Sequence, residues 1–141
     1  MKEYETLHLV KGEDLNHHGT LFAARAAAWL VEAAFAAAVC ECSGCTEIVC
    51  RSLHDMSFRV PVQKGSVIRF LTRIVYTGKT SLTAAVRVKD VKTGRTAVEG
   101  MITFVTVDEE TGEKRSHHIV LDETADEEEI KQREAALAAR K

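Results

Sequence analysis

The stretch from Asn16 to Cys40 reads NHHGTLFAARAAAWLVEAAFAAAVC, and it decides the fold. A short polar loop leads into an alanine-rich run that is apolar on almost every side. Alanine has the highest helix propensity of all residues, and a helix that is apolar all round is normally buried. The pattern therefore predicts a long helix over Thr20 to Cys42 that lies inside the protein.

Two charged residues, Arg25 and Glu32, interrupt this apolar run. A carboxylate inside such a helix loses its hydration, so it must be paired, protonated or used for chemistry. Glu32 is therefore a candidate general base. The structural alternative is an ion pair with Arg25, which lies seven residues earlier on nearly the same face of the helix, or with a residue of another subunit.

Outside the helix, apolar residues recur with a period of two, which is typical of strands. The first strand is predicted over Glu3 to Val10. The later strands are predicted over Glu47 to Phe58, Ile68 to Tyr76, Ser81 to Val91 and Ala97 to Asp108, with a short last strand reaching Val120. One antiparallel sheet against one long helix is an α+β layout. Because a single sheet covers only one side of the helix, we expect an oligomer in which a second subunit covers the rest.

The C-terminal residues differ in composition from the domain that precedes them. We assign residues 1–120 to one domain and residues 121–141 to a charged, peripheral helix. Thr124 to Glu127 fits a capping box, and the acids at the front and bases at the back match the helix dipole. The apolar face of this helix is thin, so we expect it to be largely solvated.

The overall composition excludes several classes of function. The chain has 141 residues and a formal net charge of −2, so nothing in its charge favours nucleic acid or an anionic membrane surface. The first fifteen residues are too charged for a secretory signal, and Arg25, Glu32 and Glu41 divide the apolar run into pieces too short for a membrane span. We expect a cytoplasmic protein.

Four cysteines lie within eleven residues, at positions 40, 42, 45 and 50. Cys42 and Cys45 form a C-x-x-C pair, and His54 is a conceivable further ligand. A small zinc-binding interaction module is therefore one alternative. A zinc site usually needs a second pair of ligands at matching spacing, so we expect no metal site here.

Four blocks of the sequence resemble hot-dog fold acyl-CoA thioesterases, in particular the branch of brain-type acyl-CoA hydrolases and their single-domain bacterial relatives. Asn16 to Ala24 follows the family pattern Asn-x-(His/Asn)-Gly-(Thr/Asp)-(Leu/Ile)-(Phe/His)-Gly-Gly up to its last two positions. The later blocks, in family order, are Phe58 to Gly65, Tyr76 to Ser81 and Thr103 to Asp108. The resemblance implies a hot-dog fold, in which a curved antiparallel sheet wraps a long central helix, and a peripheral C-terminal helix. It also implies hydrolysis of acyl-CoA at a subunit interface, with coenzyme A as part of the substrate and no other cofactor.

The resemblance also implies roles for individual residues. Asn16 would hold the attacking water or the thioester, and the backbone N–H of Ala23 would stabilise the oxyanion. Glu32 would act as the base, and His18 is a further candidate for a base or proton shuttle. The residues implied to contact coenzyme A are Lys79, Thr80 and Ser81.

The sequence departs from the family pattern at the positions implied to carry out the reaction. The family's helix acid aligns with Val31 rather than Glu32, and one residue along a helix is a rotation of about 100°. Ala23 and Ala24 replace two glycines. These departures support an alternative, a protein that binds acyl-CoA or an acylated carrier without hydrolysing it. A lyase or hydratase on the same fold would use a histidine with Glu32, but the His-Phe-Pro signature associated with such dehydratases is absent.

Overall fold

A computed structural model describes residues 1–42 and 47–140. In chain order the elements are β1 (Tyr4–Leu9), a 3-10 turn (Gly12–Asp14), α1 (Ala23–Glu41), β2 (Glu47–Phe58), β3 (Val67–Thr77), β4 (Ser81–Asp90), β5 (Thr96–Val107) and α2 (Glu127–Ala138). The strands form one antiparallel sheet in the order β1-β3-β4-β5-β2. The predicted α+β layout is confirmed, with α1 on the inner face of the sheet.

The helix α1 begins at Ala23, three residues later than predicted. The two residues before Phe22 are extended because they bond to the segment that follows β2. The N–H of Leu21 donates to the carbonyl of Val62 at 2.8 Å, and Thr20 forms a bridge with Gln63. These bonds hold the start of α1 beside the end of β2.

One face of α1 fills the core of the sheet. Leu30, Ala34 and Ala38 are fully buried there, together with Phe70 and Phe104 from the strands. Small alanine side chains let the helix axis approach the sheet closely. By length and apolar composition alone α1 could also cross a membrane, contrary to the sequence-based expectation, but one of its faces fills the core of the sheet.

The opposite face of α1 is open in the single chain, because the sheet covers only one side of the helix. Its exposed residues recur every three or four positions: Ala24, Ala28, Glu32, Phe35, Ala36 and Val39. We call these six residues the α1 stripe. Val39 is 53% exposed and Phe35 is 36% exposed. A single chain therefore leaves an alanine-rich surface, with one carboxylate on it, that the sheet does not cover.

The helix α2 packs on the outer face of the sheet, where Ala136 is buried against Val75, Ala85 and Met101. Its N-cap is Asp126, whose side chain accepts the N–H of Glu129 at 2.9 Å. The predicted capping box at 124–127 is therefore displaced by two residues. The predicted short last strand does not form: residues 115–120, all of them described, contain no strand, and the nearest bridge pairs residues 107 and 114.

Ion pairs supplement the small apolar contact between α2 and the sheet. Arg87 Nη1 lies 2.5 Å from a carboxylate oxygen of Glu128, and Arg73 Nη1 lies 3.7 Å from one of Glu129. Both arginines are buried. Glu129 is only 3% exposed and also accepts a hydrogen bond from Arg133 at 2.6 Å. Ion pairs thus hold α2 to the sheet.

We expect this attachment to weaken in acid. Burial raises the pKa of Glu129, but hydrogen bonds from the Met1 amine, Arg133 and Thr124 outweigh burial and keep the pKa below the 4.5 of a free glutamate. The ionised form therefore stabilises the fold above pH 4.5, and this contribution is lost as the pH falls through the lower folded-state pKa. Urea denaturation at a series of pH values should show a steeper loss of unfolding free energy in the wild type than in Glu129→Gln. Equal slopes would contradict this.

Candidate active site

The loop before α1 is folded around the side chain of Asn16. Its Oδ1 accepts the backbone N–H of His18 at 2.9 Å and that of Thr20 at 3.2 Å. Its Nδ2 donates to the hydroxyl of Thr20 at 3.1 Å. Gly19 closes the turn with a φ of +81°, which a residue with a Cβ rarely adopts. Because an amide nitrogen carries two hydrogens, Asn16 shapes the loop and keeps one donor for a ligand.

The N-terminus of α1 has no cap. Its N-cap residue, Phe22, makes no side-chain capping hydrogen bond. Within the described residues no acceptor contacts the backbone N–H groups of Ala23, Ala24 and Arg25. Free N–H groups at the positive end of a helix dipole stabilise a negative charge. This end of α1 is therefore suited to an oxyanion.

A cleft of about 440 Å³ opens beside this helix end. Asn16 and Ala23 line one side, and the segment from Phe58 to Val62 lines the other. The walls are mostly apolar with a few polar groups, which is typical of a small-molecule pocket. The fold thus brings together two of the residues predicted for the site. Pro61, which lies in the resembling block Phe58 to Gly65, is part of the wall.

Glu32 is exposed and has no hydrogen-bond or ion-pair partner among residues 1–42 and 47–140. The alternative pair with Arg25 does not form within the chain, because Arg25 Nε lies 3.6 Å from a carboxylate oxygen of Asp14. Nine residues separate Glu32 from Ala23, which is roughly 13 Å along the axis at the rise of an α-helix. That is well beyond the reach of a glutamate side chain, so one chain does not bring the two groups together.

Asp14 is a residue that sequence reasoning missed. It is 3% exposed, its carboxylate accepts the N–H of Lys11 at 2.9 Å, and its carbonyl accepts the N–H of Phe22 at 2.8 Å. Asp14 therefore fixes where α1 starts. It lies in a polar stretch that reads as solvated loop, and no spacing in the sequence marks its burial.

The remaining predicted residues lie outside the cleft of a single chain. His18 is exposed, and its ring lies 3.9 Å from that of His17. The turn of Lys79, Thr80 and Ser81 follows β3. The strand β3 begins near the cleft and runs to the far end of the sheet, where this turn lies. An eleven-residue strand spans roughly 30 Å, so this turn and the α1 N-terminus are distant within one chain.

A buried histidine holds this turn in place. His117 Nε2–H donates to the carbonyl of Ser81 at 2.9 Å, and His117 Nδ1 accepts the N–H of Ile119 at 2.9 Å. The N–H of Gly78 donates to the same Ser81 carbonyl at 2.9 Å. Lys79 is exposed at the tip. The turn is therefore rigidly tied and presents a cation to solvent.

The cysteine cluster is only partly described. Cys40 and Cys50 are exposed free thiols, whereas Cys45 lies outside the described residues. His54 makes a 3.0 Å hydrogen bond between its Nε2 and the hydroxyl of Thr103. In the described part of the chain, no three His, Cys, Asp or Glu residues are grouped as metal ligands.

Comparison with known proteins agrees with this geometry. The family model of the thioesterase superfamily matches residues 18–97. A solved hexameric acyl-CoA thioesterase is 27% identical, with a TM-score of 0.83 over 98% of this chain and 88% of that one. An acyl-CoA hydrolase from Staphylococcus aureus, solved with butyryl coenzyme A and coenzyme A, is 24% identical, with a TM-score of 0.81 over 98% and 85%. No curated protein matches the chain.

A hexameric hot-dog fold thioesterase from Campylobacter jejuni is 23% identical, with a TM-score of 0.67 over 79% of this chain and 86% of that one. The five-stranded antiparallel sheet, the central helix and the strand order therefore form a hot-dog fold, as the sequence blocks predicted. More than half of the chain matches the family model. The protein belongs to the thioesterase superfamily.

Proposed function

We propose that this protein hydrolyses the thioester of acyl-coenzyme A at a site shared by two subunits. The N-terminus of α1 from one subunit supplies the oxyanion donor, and Glu32 from a second subunit supplies the base. The observation that carries the proposal is the uncapped end of α1 facing a cleft, together with an unpaired carboxylate on the open α1 stripe. Neither group has another structural task in the described chain.

An antiparallel pair of α1 helices would bring these groups together. The α1 stripe is formed mainly by alanine, which allows two helices to pack at short distance. In a twofold contact the same surface is used by both chains. If Glu32 of one chain lies beside Ala23 of the other, the twofold axis passes near Ala28. The helix pair then forms two equivalent sites, one at each end.

The chemistry then follows from the groups present. The carboxylate of Glu32 takes a proton from water while the water oxygen bonds to the thioester carbon. The carbonyl electron pair moves to oxygen, where the N–H of Ala23 stabilises the charge. When the carbonyl re-forms, the C–S bond breaks and the thiolate takes the proton from Glu32. The products are the free acid and coenzyme A, and the carboxylate is regenerated.

The other predicted residues have supporting roles in this scheme. The free amide hydrogen of Asn16 would hold the water or the thioester oxygen. The cation of Lys79 and the hydroxyls of Thr80 and Ser81 would contact coenzyme A from a neighbouring subunit, since the turn is distant in the same chain. The Staphylococcus aureus relative was solved with coenzyme A, which supports this ligand. His18 stays a candidate proton shuttle, and the cytoplasmic location stays a prediction.

Self-association has a second structural support. The strand β2 lies at the edge of the sheet and is twelve residues long. Val49 and Phe58 on this strand are 46% and 54% exposed. A long edge strand with exposed apolar side chains is prone to pair with another chain. Two of the structural relatives are hexameric, which supports an assembly of dimers here.

Thiol release from a panel of acyl-coenzyme A thioesters tests the proposed function. Hydrolysis should release one free thiol per ester, detected with a thiol reagent, while calorimetry measures binding of the same panel. Turnover of at least one ester supports a thioesterase. Tight binding without thiol release would instead support the non-hydrolytic acyl-CoA or acyl-carrier binding alternative and overturn the proposal. A change in the acyl chain, with the thioester intact and no thiol released, would indicate a lyase or hydratase.

His117→Ala should raise KM for acyl-coenzyme A several-fold and change kcat little. The substitution removes the hydrogen bond that holds the carbonyl of Ser81, so the turn loses its fixed position. The side chain does not touch the cleft beside α1, so the chemical step should proceed. His118→Ala is the matched control, because His118 is an exposed neighbour. A fall in kcat with constant KM would argue against a role of this turn in binding.

A further inference from the structure

The outer face of the sheet carries a second cavity, of about 450 Å³, beside the C-terminal end of α2. Thr83 of β4 and Thr103 of β5 line it. Their chain neighbours Leu82 and Phe104 are fully buried in the core on the α1 side. Because side chains alternate along a strand, this cavity lies on the opposite face of the sheet from the α1 cleft.

Two arginines without a carboxylate partner line this cavity. Seven of the ten arginines have a carboxylate oxygen within 4.0 Å among residues 1–42 and 47–140. The other three are Arg51, Arg95 and Arg140, and both Arg51 and Arg140 line the cavity. Arg140 stacks on the ring of Tyr76 at 4.5 Å, which leaves the edge of its guanidinium group for a ligand. Two unpaired like charges in one cavity favour an anion between them.

Irregularities of β2 place residues at this cavity. The register between β2 and β5 shifts between Cys50 and Ser52, so Arg51 is an extra residue at a bulge. It shifts again between His54 and Ser57, where Asp55 has a φ of +51°. Bulges re-aim side chains, and left-handed backbone at residues other than glycine is concentrated at functional sites.

The cavity also holds a chain of hydrogen-bonding groups. The hydroxyls of Thr83 and Thr103 are 2.9 Å apart, and Thr103 bonds to His54 Nε2 at 3.0 Å. The one carboxylate in the lining, that of Asp55, is 61% exposed and lies 3.5 Å from His54 Nδ1. The two arginines therefore outweigh it, and the lining has a net positive charge.

We propose that this cavity binds a phosphate group, carried either by the free ion or by a small phosphorylated molecule. The guanidinium groups of Arg51 and Arg140 can each donate two parallel hydrogen bonds to phosphate oxygens, and the hydroxyl of Ser52 offers a further donor. The cavity volume of about 450 Å³ lies in the range of small-molecule sites, so the cavity has room for a phosphorylated small molecule as well as for the free ion. The site is independent of thioester hydrolysis, since none of its residues belongs to the α1 cleft.

Calorimetry with inorganic phosphate, pyrophosphate and adenosine monophosphate tests the proposal, with sodium chloride at matched ionic strength as the blank. The variants are Arg51→Gln and Arg140→Gln, and Arg95→Gln is the matched control because Arg95 is equally unpaired but lines another cleft. At least one probe should bind the wild type, and each cavity variant should weaken it roughly tenfold or more. Arg95→Gln should bind as the wild type does.

The outcomes separate the possible sources of the phosphate. Tightest binding of inorganic phosphate or pyrophosphate would identify the ion itself as the ligand, and tightest binding of the nucleotide would identify a nucleoside phosphate. Thiol release should be unchanged in all three variants without added phosphate. The proposal is overturned if no probe binds, or if the three arginine variants affect binding equally.

Discussion

Glu32→Gln is expected to lower kcat for acyl-coenzyme A hydrolysis by roughly 100-fold or more, the range for loss of a positioned general base. Glutamine has nearly the same shape but does not accept the proton of the attacking water. Glu32 is exposed and unpaired in the described chain, so the urea midpoint should change little. Thiol release under saturating substrate measures the effect.

Glu41→Gln is the matched control for this change. Glu41 lies on the same helix, and its carboxylate accepts the hydroxyl of Tyr4 at 2.8 Å, a hydrogen bond that glutamine can keep. We expect this variant to retain wild-type turnover. Full activity in Glu32→Gln would remove this residue from the mechanism and would leave the base unassigned.

The second large effect is expected from Ala28→Arg. Ala28 is exposed on the α1 stripe, near the axis of the proposed antiparallel helix pair, so two arginines would meet there. Steric overlap and like-charge repulsion should convert the assembly to monomers and abolish thiol release together. The monomer fold should persist, because the residue is not part of the core. Sedimentation velocity measures the molecular mass.

Ala28→Ser provides the control, since serine adds one oxygen and no charge. It should keep the mass and the activity of the wild type. If Ala28→Arg kept both as well, the α1 stripe would not be the interface, and the site would have to be completed in another way.

The sequence predicts the elements of this fold well because their patterns are local. The alanine run from Ala23 to Glu41 is helical by propensity, and the alternation along β3 and β4 marks one face of each strand. The predicted start of α1, at Thr20, is three residues early. Thr20 and Leu21 have no helix-breaking character, and their bonds to the preceding loop and to the segment after β2 keep them extended.

The site is harder to predict from the sequence than the fold, because its residues make contacts with residues distant in the chain. The ion pair between Arg25 and Asp14 crosses a loop. The spacing along the helix alone therefore indicates Glu32, and not Asp14, as the partner of Arg25. The cavity on the outer face depends on bulges in β2. A bulge shifts the alternation by one residue, and the sequence pattern does not reveal which residues of Arg51 to Asp55 share a face.

Because Glu32 and Ala23 of one chain are too far apart to act together, each active site is proposed to use residues of two chains. Co-expression of Asn16→Ala and Glu32→Gln subunits with different tags tests this proposal most directly. Each variant alone should be inactive. In a mixed dimer, one site would combine an intact Asn16 and Ala23 from one chain with an intact Glu32 from the other, so doubly tagged protein should regain thiol release. If the doubly tagged protein stays as inactive as its parents, the site does not draw on two chains and the account is contradicted.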